Sequence, residues 1–157
     1  MKINQTLLVA AALSLTAAAA TFAASSQMLG TWKLNESKSE FSAGATKNHT
    51  VTYAAEKGDM MKVTVDGVDK DGKAVHWTWK GKFDGQPHKT KGNSIADAAV
   101  YKQMDDRTNE LTLMKDGKAM VTGTITVSKD GKSRVVTTTM TDSEGKKHTD
   151  KAYYDKE

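Results

Sequence analysis

Met61-Lys62-Val63-Thr64-Val65-Asp66-Gly67-Val68-Asp69-Lys70-Asp71-Gly72-Lys73-Ala74-Val75-His76-Trp77-Thr78-Trp79-Lys80-Gly81 is the stretch that decides the fold class. Apolar and polar residues alternate on both sides of Lys70-Asp71-Gly72, the period of a half-buried strand, and Asp-Gly between two such runs marks a hairpin. A register shift of one residue turns a whole strand over, so side-chain parity selects the loop length. A two-residue loop at Asp71-Gly72 would set Asp66 opposite Trp77. A three-residue loop, Lys70-Asp71-Gly72 with Gly72 left-handed, pairs Gly67 with Val75, Val65 with Trp77, Val63 with Trp79 and Met61 with Gly81. The other face then collects Asp66 with His76, Thr64 with Thr78 and Lys62 with Lys80. The clean separation of faces predicts the three-residue loop.

The same grammar runs through the rest of the chain. Lys-Asp-Gly-Lys recurs at 70–73, 115–118 and 129–132, each time between two strand-like runs. Strands are expected near 29–34, 48–55, 60–68, 74–83, 97–104, 109–115, 118–128, 133–141 and 147–155, with a further short one near 87–91. At the second copy a three-residue loop places Leu111, Leu113, Ala119, Val121 and Ile125 on one face. At the third copy Val135 and Val136 compete for the inner face, and parity leaves both open. One apolar face per strand means one core and a wet exterior, which suits a sandwich or a barrel. Consecutive hairpins favour an all-β, antiparallel up-and-down barrel of about 8–10 strands. A sandwich would need more long crossovers than the two available, Asn35 to Lys47 and Asp84 to Asp97.

The amino terminus carries Lys2, an apolar run from Leu7 to Ala20, and Thr21-Phe22-Ala23 as a small-residue cleavage site. This is the pattern of a secretory signal peptide over residues 1–23, leaving a single β-barrel domain at 24–157. The run is too short and alanine-rich for a membrane span, so release without a stable membrane anchor is expected. The short leader points to the periplasm, with secretion as the second choice. Removing Lys2 leaves 22 basic against 19 acidic residues, a net charge of +3. The lysines are dispersed, and no dense basic run with interleaved aromatics marks a nucleic-acid surface. The chain has no cysteine, which excludes disulfides, thiol catalysis and a lipid anchor on cysteine.

Gly30-Thr31-Trp32, on the first strand after the leader, resembles the Gly-x-Trp motif that opens lipocalins and fatty-acid-binding proteins. Together with Lys33-Leu34-Asn35, Val63-Thr64-Val65-Asp66-Gly67-Val68-Asp69 and Asp71-Gly72-Lys73-Ala74-Val75-His76-Trp77, it resembles small exported lipocalin-like, calycin-type proteins of Gram-negative bacteria. That resemblance covers nearly the whole mature chain. It implies a lipocalin-like barrel whose Trp32 closes the floor, and it carries no settled activity. The ending Ala152-Tyr153-Tyr154-Asp155-Lys156 is similar to the Arg-x-Tyr-Glu-Lys ending of fatty-acid-binding proteins, but Ala152 stands where their carboxylate-holding Arg would be. The segment from Asn35 to Lys47 is too short for a two-helix lid; one helical turn around Glu36 to Phe41 fits.

Large groups available to the interior are Tyr53, Trp77, Trp79, Phe83 and Tyr101, joined by Val63 and Val65. They serve equally as simple packing and as the lining of a cavity for a small hydrophobic ligand. His49, His76, His88 and His148 are scattered without ligand spacing and read as surface imidazoles. Met60 and Met61 point to opposite faces of one strand, so the methionines read as core filler rather than a copper site, and no metal or cofactor is expected. Paired carboxylates, a nucleophile with its base and a phosphate-cradling glycine loop are all missing, so no catalytic residue is assigned. The resulting expectation is a non-enzymatic lumen-binding barrel. The alternative is a filled barrel acting through its surface as a stress-related, protein-binding or inhibitory module. Oligomeric state stays open.

Overall fold

The computed structural model describes residues 26–157. The expected signal peptide, residues 1–23, lies outside the described residues. Ten antiparallel strands follow in chain order: β1 Gly30–Leu34, β2 Lys47–Ala55, β3 Met61–Val68, β4 Ala74–Gly81, β5 Asp84–Lys91, β6 Ala98–Gln103, β7 Thr108–Lys115, β8 Lys118–Val127, β9 Ser133–Thr141 and β10 Lys147–Lys156. Each pairs with its neighbours in sequence, and β1 pairs with β10 through Trp32↔Lys156 and Leu34↔Tyr154, closing an up-and-down barrel. Closure leaves no free sheet edge among the described residues. The turns after β2, β4, β6 and β8, with the start of β1 and the end of β10, form one end, called the floor. The turns after the odd-numbered strands form the mouth.

The first hairpin has the register that parity requires. Met61↔Gly81, Val63↔Trp79, Val65↔Trp77 and Gly67↔Val75 pair on the inner face, and Asp66↔His76 on the outer. Asp69 and Lys73 close the turn through Asp69 N to Lys73 O at 2.9 Å, and Gly72 takes φ +74°. The second hairpin corrects the expectation. Lys115 pairs with Lys118 across a two-residue turn in which Asp116 (φ 50°) and Gly117 (φ 75°) are both left-handed. A register shift then sets Leu113 opposite Val121 and Met114 opposite Ala119. Ala119 is therefore exposed rather than internal, because a bulge, not the loop, restores the parity of β8. At the third hairpin Val136 pairs with Ile125 and Ala152 on the inner face, and Val135 points outward.

The connection expected from Asp84 to Asp97 is largely strand, since β5 begins three residues before the expected 87–91. From Leu34 to Lys47 the chain makes one 3-10 turn at Glu36–Lys38, bridges Glu40 to Lys151, and is pinned where Ser42 N and Oγ both donate to Asp150 Oδ1 at 2.6 Å. At the floor, Trp32 is fully buried, and its Nε1 donates to Met28 O at 2.8 Å in the 3-10 turn Ser26–Met28. Gly30 sits at φ +111° with Lys156 Cε 2.9 Å from where a Cβ would be, so the chain start folds under the barrel only with glycine there. Thr31 faces outward, its Oγ1 3.2 Å from that of Thr52.

Candidate functional site

The inner face follows from register. Strand side chains alternate, so each inward position fixes those two residues away. Tyr53, Val63, Val65, Trp77, Trp79, Phe83 and Tyr101 all lie in the buried core, as do Trp32 and Tyr154. The structure brings four of them into one cluster. Phe83 stacks on Tyr101 at 4.9 Å and 8°, Trp79 lies 4.6 Å from Tyr101 and 6.0 Å from Phe83, and Tyr53 meets Tyr101 edge to face at 6.4 Å. Trp79, 1% exposed, is locked by Nε1 donating to Ala99 O at 3.1 Å. Its ring lies on the backbone of Gly81, where a Cβ would come within 2.5 Å of Trp79 Cζ2 and of His88 Cγ. Trp77, opposite Val65, stands one residue pair nearer the mouth.

Burial pushes the Tyr101 phenol well above the ordinary tyrosine range, with neighbouring Tyr53 adding to the shift. Burial likewise raises Tyr154 to about 12, while the Arg134 charge acts in the opposite direction. Arg134 is the residue that the sequence reading did not pick out. It is 2% exposed on the inner face of β9, paired with Val127 and Tyr154. Its Cζ lies 4.8 Å from the Trp32 ring centroid, 5.0 Å from that of Tyr53 and 4.7 Å from that of Tyr154. Among the described residues no group accepts from Nε or Nη1. Asn109, 0% exposed on β7 opposite Gln103 and Ile125, has neither Nδ2 nor Oδ1 paired, and the buried Gln103 Oε1 is also unpaired. Each such group carries a desolvation cost of about 1–3 kcal/mol, so this end of the lumen is polar at a standing energetic cost. The signal for Arg134 was present: if Val136 faces inward, parity carries Arg134 with it, and only the choice between Val135 and Val136 concealed it.

Toward the mouth the inner face changes character. Leu34, Val75, Leu111, Val136 and Thr138 are half-buried, and Met140 is 39% exposed, whereas its partner Val121 and, beyond it, Leu113 and Ala99 are buried. On the outer wall, β7, β8 and β9 form an open concavity of about 440 Å³ lined by Glu110, Thr112, Thr122, Thr124, Thr137 and Thr139, with Leu111 and Gly123 at its base. All four imidazoles sit beside carboxylates: His49 with Glu36 at 3.5 Å, His76 with Asp66 at 2.6 Å, His88 with Asp84 at 3.1 Å and His148 with Asp142 at 2.7 Å. His88 departs from the expected surface role, because its ring meets Trp79 edge to face at 5.8 Å. Among the described residues no three His, Asp or Glu side chains group as metal ligands.

No family model matches the chain, and no curated protein matches it. A solved structure described as "Structure of EF1p2_mFAP2b bound to DFHBI" is similar at 10% sequence identity, with TM-score 0.48, over 86% of this chain and 98% of that one.

Proposed function

We propose that this barrel holds a small, largely apolar molecule in its lumen, by burial and aromatic contact and without covalent chemistry. The observation that carries the reading is the partial exposure of one side of the inner face. A barrel filled by its own side chains buries its inward positions from end to end. Here Leu34, Leu111, Val136 and Thr138 are half-buried and Met140 is exposed, while Val65, Trp77, Ala99, Leu113 and Val121 elsewhere on that face stay buried, so water reaches one side of it. Covering about 200 Å² of apolar surface in such a cup is worth about 5 kcal/mol before association costs, enough for a useful affinity once shape fits. The leader read from residues 1–23 supports the periplasm as the setting.

Titration with the neutral hydrophobic probe 1-aminoanthracene tests this reading. Emission from the buried Trp32, Trp77 and Trp79 is expected to be blue-shifted and to quench saturably. Trp79→Ala is expected to weaken the quenching while unfolding stays cooperative. A complete lack of saturable quenching would overturn it. The outer concavity on β7–β9 favours a second reading, a module that acts through its surface. Under that reading Thr124→Lys and Thr137→Lys abolish partner binding and leave probe binding unchanged.

A further inference from the structure

We infer that the lumen ligand is an acid with a flat, apolar body, whose carboxylate is taken by Arg134; this rests on the lumen-binding reading above. A guanidinium keeps its charge inside a protein, and a buried charge is ordinarily paired. Arg134 touches the faces of Trp32, Tyr53 and Tyr154, which attract a cation but offer no acceptor in the plane of its N–H groups. Nε and Nη1 are left without a partner. The chain supplies no counter-ion from β10: Asp150, the inward-register acid there, lies four residues from Tyr154, roughly 14 Å along the strand, and its Oδ1 is occupied by Ser42. Asp155 is held outside by Asn35 Nδ2 at 2.8 Å.

No acid among the described residues accepts from Nε or Nη1 of Arg134, so the inferred partner is an anion brought by a ligand. Both nitrogens are buried, so binding of the acid requires the rings around Arg134, Tyr53 among them, to move aside. Asn109, on the same inner face near the same end, adds a buried amide donor and acceptor without a partner. The Phe83–Tyr101–Trp79 cluster, packed ring against ring, is the apolar wall that the body of the ligand would meet. The cation comes from β9 at Arg134, not from position 152, where this chain has Ala.

The test is a matched pair of probes, 2-naphthoate and neutral 2-naphthamide, titrated calorimetrically into the mature protein at pH 8. A charge-assisted hydrogen bond predicts that naphthoate binds at least about tenfold more tightly than naphthamide. Arg134→Met is expected to weaken naphthoate at least about tenfold and naphthamide, whose carbonyl accepts only an ion–dipole hydrogen bond, much less, so that the preference for the acid is lost. Equal affinity of the two probes for the unaltered protein overturns the acid assignment while the lumen reading stands. A failure of both probes to bind overturns the lumen reading as well. Should Arg134→Met not fold, the comparison of the two probes on the unaltered chain decides the question alone.

Discussion

Arg134→Met in the ligand-free protein is expected to leave the barrel as stable as before or more stable by up to about 2 kcal/mol. Three ring contacts at 4.7–5.0 Å hold the guanidinium. At about 2 kcal/mol each in a desolvated site they contribute about 6 kcal/mol. Against them stands the cost of keeping an ion out of water, several kcal/mol after relaxation, which the two unpaired nitrogens leave uncompensated. Methionine fills a similar volume, removes the charge and buries an apolar side chain worth about 2 kcal/mol. The terms nearly cancel, and the balance tips toward the variant. Urea unfolding followed by circular dichroism reads the result: with a slope of about 1.5 kcal/mol/M for a domain of this size, the midpoint moves up by as much as about 1.3 M. Arg134→Ala serves as the control, because it removes the filler as well as the charge and should cost about 2–4 kcal/mol through the cavity left among the rings. A fall of 3 kcal/mol or more in Arg134→Met would refute the reasoning, since it would mean that the guanidinium has a strong internal partner and is a structural keystone.

Gly72→Ala should cost about 1 kcal/mol, since Gly72 has φ +74° and a Cβ there would meet nothing within 4 Å, leaving backbone strain as the whole effect; thermal unfolding measures it, and an unchanged melting temperature contradicts the turn assignment. Tyr101 and Tyr154 have phenol pKa values raised in the fold above the unfolded value of 10.0, so their contribution to stability is complete below pH 10 and is lost as pH climbs from 10 toward 12. Spectrophotometric titration should show these two phenols ionising only as the barrel opens; early, reversible ionisation of Tyr101 and Tyr154 would contradict their burial. Amino-terminal sequencing of the exported protein should begin at Ala24, and recovery of an intact Met1 would remove the leader assignment.

The barrel and its first hairpin were legible in the chain because strand parity is a local property: one Asp-Gly turn between two alternating runs admits a single register that separates Val63, Val65, Trp77 and Trp79 from Asp66, Thr64 and His76. The second hairpin was not, because two loop lengths are compatible with one inner face once a bulge supplies the extra residue. Whether a bulge forms at Met120 depends on how β8 must bend between β7 and β9, which lies outside the local pattern. The aromatic lining was named from residue type alone, since large apolar groups in a one-core protein have nowhere else to go. Its arrangement, with Phe83 stacked on Tyr101 and Trp79 laid over Gly81, needed strands brought together from opposite sides of the turn at Lys82.

Arg134 marks the boundary most sharply. A charged residue flanked by Ser133 and Val135 reads locally as an exposed strand position, because burying a charge is costly and no neighbour in sequence offsets that cost. The rings that hold it come from β1, β2 and β10, and they meet only when the barrel closes. The sequence by itself thus determined the strand content, the alternation and the composition of the interior, all consequences of short-range period and transfer free energy. Tertiary closure alone decided which side of the inner face is left open to water and that a cation without an acceptor for Nε and Nη1 stands on that face, since each depends on contacts between residues far apart in the chain.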